Sequence, residues 1–326
     1  QVDFVDREQA IRWVEDLARE GVVKVQVVIG PEGCGKTAWL KQSAELLKEL
    51  GFEVIYVNPL NKLVLAEIGV TSLRYELLRL VEEAISQGAL AKIAWIAYNV
   101  AYDLIKATRG KIAIIVDDAF QVIGVKESAM YVKALLNLVE YPPERYERIV
   151  AITATSEGVS RREIGRHRWA SIRVMWNMPE EGFKQLYDQL PGGKPPFEEV
   201  WRITGGNPKM LEELYKAGWR VDYVLRDLVE ARGLRRFVEN LNSSERSWLW
   251  EAVDDPDTLF TRERMSLLDR LVELNLVIDD IPERDRYLWV DEPPPERDSE
   301  LGIGKYVAWQ SPLHREAVRR ALQVLT

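Results

Sequence analysis

The 326-residue chain carries 44 Lys and Arg against 52 Asp and Glu, a formal charge of −8, with 47% hydrophobic and 29% charged residues. That balance excludes the disordered and fibrous classes and counts against a dedicated nucleic-acid binder, which needs a basic face. A single cysteine excludes an internal disulfide, two separated histidines give no transition-metal cluster, and no apolar run reaches membrane-spanning length. The first residues are acidic where an export signal would be basic and then apolar, so a cytoplasmic location without membrane association is expected.

Taken in chain order, the helical spacing of Ile11, Val14, Leu17 and Ala18 predicts a first helix stopped by Gly21. The β-branched run "VVKVQVVIG" predicts a buried strand, "AWLKQSAELLKEL" a helix ending at Gly51, and "FEVIYVN" a second strand stopped by Pro59. From Leu60 to Thr108 the pattern predicts helix throughout. Trp95, Tyr98 and Tyr102 lie at helical spacings and read as a core stripe rather than a stacking platform for bases. "KIAIIVDDAF", "RIVAITATS" and "SIRVMWNM" supply three more strands separated by helices, so a parallel sheet with right-handed crossovers is expected. Residues 1–176 are expected to form this α/β domain.

Past Pro179, short helices punctuated by Gly and Pro predict a small helical domain over 177–240. The rest, 241–326, begins with "SSERSWLWEAV", a helix with a Ser start and Glu245 close behind. The helix "RERMSLLDRLVELNLVID", two strand-like pieces, "RYLWV" and "KYVAWQ", and a last helix, "PLHREAVRRALQVL", follow. Helices followed by a long hairpin are the pattern of a winged-helix module, with "DEPPPERDSE" as its flexible tip.

The chemistry concentrates in "GPEGCGKT", Gly30 to Thr37, which fits G-x-x-x-x-G-K-[ST] in full and lies between a strand and a helix. Glycines here permit backbone geometries closed to other residues, so consecutive N–H groups can surround an anion at a helix N-terminus. The expected phosphate-binding set is Gly30, Pro31, Glu32, Gly33, Cys34, Gly35, Lys36, Thr37 and Ala38. Lys36 is assigned to the β- and γ-phosphates and the Thr37 hydroxyl to Mg²⁺. Cys34 reads as the small residue the loop needs rather than as a redox switch. The strand "IAIIVDD" ends in two carboxylates, Asp117 to hold Mg²⁺ through its water shell and Asp118 to act on the attacking water.

With these motifs the chain resembles the archaeal ATPases of the STAND group, relatives of the AAA+ and origin-recognition ATPases. The resemblance implies a P-loop NTPase parallel sheet of the ASCE type, followed by an all-α lid domain and a winged-helix domain. "FVDREQAI" is similar to the family's opening F-x-G-R-E motif, which implies that Val5 and Arg7 lie near the adenine. "ITATSEG" resembles the segment that senses the γ-phosphate, which implies a catalytic role for Thr155 beside Lys36 and Asp118. "ITGGNPKML" is similar to the family's Gly-x-Pro signature at Gly206, Asn207 and Pro208, which implies Pro208 near base or phosphates. Two departures stand out. Asp118 replaces the more usual glutamate, implying slow hydrolysis, and Asp6 replaces the glycine of the opening motif. Preference for ATP over GTP follows from the likeness, and no guanine-reading N-K-x-D motif follows the core strands.

Arg161, Arg162, Arg166 and Arg168 follow the sensor strand, where an arginine finger could arise; a solvated basic face is the reading preferred for each. In the C-terminal module, Arg262, Arg264 and Arg270 are offset by Glu263, Asp269 and Glu273, and nine acidic residues face three arginines between Asp279 and Glu300. DNA is therefore a disfavoured partner, and intramolecular closure, self-association or a protein partner is preferred. The expectation is a Mg²⁺-dependent, slowly turning ATPase that acts as a switch between ATP and ADP forms. The alternatives are an ATP-regulated DNA-binding protein and a nucleotide-bound scaffold with negligible turnover.

Overall fold

A computed structural model describes residues 7–156 and 158–324. Among these, the chain divides into two compact units. The sheet unit holds Glu8–Ile29 and Lys36–Val174; the C-terminal unit holds Arg7, Gly30–Gly35 and the chain from Met175 onward.

The sheet unit starts with helix α1 (Glu8–Glu20) and strand β1 (Val25–Ile29), and continues after the loop with α2 (Lys36–Glu49) and β2 (Glu53–Asn58). A hairpin return, β3 (Leu63–Glu67), precedes α3 (Thr71–Ser86), α4 (Ala91–Thr108) and β4 (Lys111–Asp117). Then come α5 (Phe120–Ile123), α6 (Val125–Glu140), β5 (Arg148–Thr155), α7 (Gly158–Gly165) and β6 (Ala170–Val174). The strand order is β3-β2-β4-β5-β1-β6, parallel except for β3. All five residues of β1 are buried, as a central parallel strand covered on both faces requires.

Two expectations for 60–108 need correction. The segment is not helical throughout, because Leu63–Glu67 pairs antiparallel with β2. Pro59 stops β2, Asn58 accepts from Asn61 N at 2.9 Å to form a tight turn, and the chain returns as an edge strand. In α4 the buried face is aliphatic, built on Ile93, Ala97, Val100, Ala101 and Leu104. Trp95 meets Tyr98 and Tyr131 edge-on at the margin of that face, and Tyr102 is exposed.

The C-terminal unit continues with helices α8 (Glu180–Asp188), α9 (Phe197–Thr204), α10 (Pro208–Lys216), α11 (Val221–Ala231), α12 (Leu234–Glu239), α13 (Ser243–Asp254) and α14 (Met265–Glu273). Strands β7 (Val277–Ile278) and β8 (Ala308–Trp309) and helix α15 (Pro312–Gln323) complete it. An aromatic core of Phe183, Tyr187, Phe197, Val200 and Leu211 holds α8 to α10 together. Helix α13 begins at the expected serine, Ser243, and its cap is the residue before it. Asn242 accepts from Glu245 N while the Glu245 carboxylate accepts from Asn242 N, a complete capping box.

The expected hairpin is much reduced. Among the described residues the ladder is two pairs long, Val277 with Trp309 and Ile278 with Ala308, joined by isolated bridges of Ile303 to Asp298 and Ala308. "RYLWV" does not form a strand, because Arg286–Leu288 is a 3₁₀ turn. Within the proline-rich tip, Asp291 is buried and ion-paired with Arg7 at 2.7 Å.

Candidate nucleotide site

In the sheet unit, the parallel register puts the carboxyl ends of β4, β5 and β1 side by side: Asp117 pairs with Ala154, and Thr155 with Ile29. Ligands of open α/β sheets gather at such strand ends. Lys36 opens α2 and is buried, Thr37 follows it, and Ala38 lies in the same first turn.

The Thr37 hydroxyl donates to Asp117 Oδ2 at 2.7 Å. The same oxygen accepts from Tyr56 Oη at 2.9 Å and from Asn58 Nδ2 at 3.0 Å. Asp117 Oδ1 is also buried but has no hydrogen-bond partner among the described residues. Burial raises the Asp117 pKa above the usual carboxylate range against the opposing pull of Thr37, Tyr56, Lys36 and Asn58. Burial and the neighbouring Asp117 push the Tyr56 phenol upward, so it remains a donor. Next to this carboxylate, Asp118 adopts a left-handed backbone, φ 47°, with its N–H donating to Ala154 O at 3.0 Å.

A buried carboxylate oxygen without a partner beside a threonine hydroxyl fits a hard cation that wants oxygen ligands. Among the described residues no group of three or more His, Cys, Asp or Glu side chains is placed to hold a metal. The donor set of one carboxylate oxygen and one hydroxyl matches the one or two protein oxygens that Mg²⁺ takes when phosphates and water complete its shell.

In the C-terminal unit, the segment Gly30–Gly35 is tied on many sides. A Cβ on Gly30 would lie 2.0 Å from Met175 O, so close backbone approach decides that position. Gly33 combines φ +78° with a Cβ position 2.2 Å from Lys209 Cβ, and no other residue fits there unstrained. Cys34 is fully buried. Pro31 is buried, and Glu32 is held from several sides. Its carboxylate accepts from Lys209, Arg232 and Asn275, its N–H donates to Gln310 Oε1 at 3.0 Å, and its carbonyl accepts from Asn207 Nδ2 at 2.9 Å. Burial alone would raise its pKa; the Lys209 and Arg232 contacts outweigh that and hold it at about 2.

Asn207 also donates to Asn177 Oδ1 and caps α10 by accepting from Met210 N, with Pro208 in the first helical position where its missing N–H costs nothing. Arg7 is 2% exposed, and its guanidinium is committed to Asp291, Cys34 O and Trp176 O. Val5 lies outside the described residues. Arg162, Arg166 and Arg168 are exposed on or just after α7, and Arg166 pairs with Glu163 at 3.5 Å.

Tyr56, Asn58, Lys209, Arg232, Asn275 and Gln310 were not legible as site residues in the sequence. The available signals were weak: a polar pair closing the apolar run "FEVIYVN", and a lysine directly after the Gly-Asn-Pro signature.

The strand carrying Thr155 is inserted between the loop strand β1 and the acidic strand β4, the arrangement of ASCE-type P-loop NTPases. An ATPase domain found predominantly in Archaea matches residues 4–214, and the chain belongs to this family. It is a nucleotide-binding P-loop ATPase. None of the curated proteins compared with the chain matches it. Among solved structures, the Aeropyrum pernix ORC2 protein in ADPNP-ADP complexes is 15% identical with a TM-score of 0.45, over 98% of this chain and 93% of that one. The ORC1 protein of the same organism, in complex with DNA, is 15% identical with a TM-score of 0.42, over 99% and 94%. AMPPCP-bound DnaA from Aquifex aeolicus is 16% identical with a TM-score of 0.39, over 82% and 77%. No described helix is long and apolar enough to cross a membrane.

Proposed function

We propose that the chain binds ATP together with Mg²⁺ through Gly30–Thr37 and Asp117, hydrolyses it slowly, and serves as a nucleotide-dependent switch of the STAND type. The observation that carries this reading is the division of labour within Asp117: Oδ2 takes three donors while buried Oδ1 takes none. Thr37 spends its proton on Asp117 and keeps its oxygen lone pairs for a ligand. When bound, Mg²⁺ would neutralise charge developing on the transferred phosphoryl group.

Lys36 supplies the fixed cation for the β- and γ-phosphates. Asp118 orients the attacking water or takes its proton, and Thr155, at the end of the intervening strand, donates to the γ-phosphate. A carboxylate one methylene shorter than glutamate reaches the water less well, which supports slow turnover. The same feature favours a second reading, a scaffold that keeps ADP with negligible turnover. Steady phosphate release that disappears in Lys36→Ala supports the first; co-purified ADP without release supports the second.

The switch rests on Glu32. Lys209, Arg232, Asn275, Gln310 and Asn207 all hold this one loop residue, so a loop rearrangement on phosphate binding is transmitted to α10, the end of α11 and the residues beside β7 and β8. Residues 177–240 act as the lid, with Pro208 facing the nucleotide, and 241–326 as a winged-helix module for closure, self-association or a protein partner. The acidic stretch from Asp279 to Glu300 argues against duplex DNA. Saturable, salt-sensitive gel shifts of a DNA duplex at low salt would overturn that assignment.

A further inference from the structure

The strand-end carboxylate of Asp117 is held by two residues that belong to no nucleotide motif of this chain. Tyr56 and Asn58 sit two residues apart at the end of β2, so both side chains leave the strand on the same face. Both are fully buried, and both donate to Asp117 Oδ2. Asn58 has no freedom in this contact. Its Oδ1 accepts from Asn61 N at 2.9 Å, which turns the amide nitrogen toward Asp117 and fixes the flip.

A carboxylate oxygen offers about two lone-pair sites, and Oδ2 already receives three donors when Thr37 is counted. It has nothing left for a cation. Oδ1 alone would therefore be left to serve an ion, or a water on the ion. This matters for which cation fits. Mg²⁺ is small, keeps its waters and accepts a single oxygen from a carboxylate, whereas Ca²⁺ is larger and readily takes both oxygens.

We propose that Tyr56 and Asn58 are positioning residues that confine Asp117 to one-oxygen coordination and thereby select Mg²⁺ over Ca²⁺ at the nucleotide site. The proposal rests on the reading of Gly30–Thr37 and Asp117 as an ATP and metal site. Outer hydrogen-bond partners of metal ligands affect metal affinity by roughly 10–100-fold, so the two donors are of the right size to set a preference.

The test uses the full chain, with Tyr56→Phe, Asn58→Leu and the double variant. Tyr56→Phe keeps the ring and removes only the donor, so it remains informative if Asn58→Leu fails to fold. A fluorescent ATP analogue is titrated in EDTA, in Mg²⁺ and in Ca²⁺, and Mn²⁺ binding to the nucleotide-loaded protein is followed by electron paramagnetic resonance. The expected result is metal-free nucleotide affinity within about twofold of the parent, Mn²⁺ and Mg²⁺ affinity weakened roughly tenfold, and a smaller Mg²⁺ to Ca²⁺ ratio. Folded variants with unchanged Mn²⁺ affinity and an unchanged ratio overturn the proposal while leaving the ATP site standing. A parent protein that binds no analogue under any condition overturns the ATP reading, and this proposal with it. A parent that binds it equally with and without metal leaves the ATP site standing and overturns the metal site and this proposal.

Discussion

Glu32 is ionised because of its partners. Its pKa of about 2 lies below the ordinary 4.5, so the unfolded chain binds the proton first and the folded state loses stability as pH falls from about 4.5 toward 2. His314 works in the window above. It is fully buried, burial pushes its pKa down to about 3 with Arg232 acting in the same direction, and its Nδ1 pairs with the Ser311 hydroxyl at 2.7 Å. The unfolded chain takes up that proton below about 6.5, so stability falls from there toward pH 3. Urea unfolding followed against pH is expected to show about one proton's slope, near 1.4 kcal/mol per unit, removed by His314→Gln between pH 6 and 5. Glu32→Gln should flatten the curve only below about pH 4.5. Arg7→Ala strands Asp291 as a buried charge, and about 3–5 kcal/mol of stability should be lost in the same assay. Thr37, Asp117 and Glu32 were legible as loop and strand-end residues because their spacing announces a phosphate site. The residues that hold them were not, since partners up to 278 positions away are set by tertiary packing.

Elements were legible where period and punctuation agree. The strands "VVKVQVVIG", "KIAIIVDDAF" and "RIVAITATS" are buried on both faces, and their continuous apolar runs say so. β3 escaped because five residues at a sheet edge, only one of them buried, show too little pattern between two helices. The strand expected over "RYLWV" is absent among the described residues for a related reason. Aromatic, β-branched residues such as Tyr287, Trp289 and Val290 have strand propensity, but proline-rich chain beside them and the Arg7 tether at Asp291 leave only two pairs of ladder residues. Helix α13 provides the element-scale check. Its cap is Asn242, so Asn242→Ala should lower stability by about 1 kcal/mol in urea unfolding, while Ser243→Ala should change it by only a few tenths.

For the whole molecule, the parallel direction of five of the six strands follows from alternation of strands and helices, whereas the order β3-β2-β4-β5-β1-β6 is set by tertiary packing that no local pattern records. The grouping of Gly30–Gly35 with the chain beyond Met175 was not legible, because the loop reads as part of the sheet that precedes it. The proposed switch rests on this grouping: Glu32 engages residues from four later segments of the C-terminal unit, at Asn207 and Lys209, Arg232, Asn275 and Gln310. Weakening that hub should loosen the response to nucleotide without removing the phosphate site. Glu32→Gln is expected to keep ATP binding within a few fold while reducing the ATP-induced change in hydrogen-exchange protection across α10 and around Asn275. Equal protection changes in the variant and the parent would contradict the hub.

Gly30–Thr37 and Asp117 are proposed to hold ATP with Mg²⁺. Calorimetric titration of ATP into the parent, Lys36→Ala and Asp117→Asn, with and without Mg²⁺, tests that proposal most directly. Saturable binding in the parent that Mg²⁺ strengthens is expected, with affinity lowered at least about tenfold in Lys36→Ala and the Mg²⁺ increment alone lost in Asp117→Asn. Binding that is indifferent to both substitutions, or no binding by the parent at all, would contradict it.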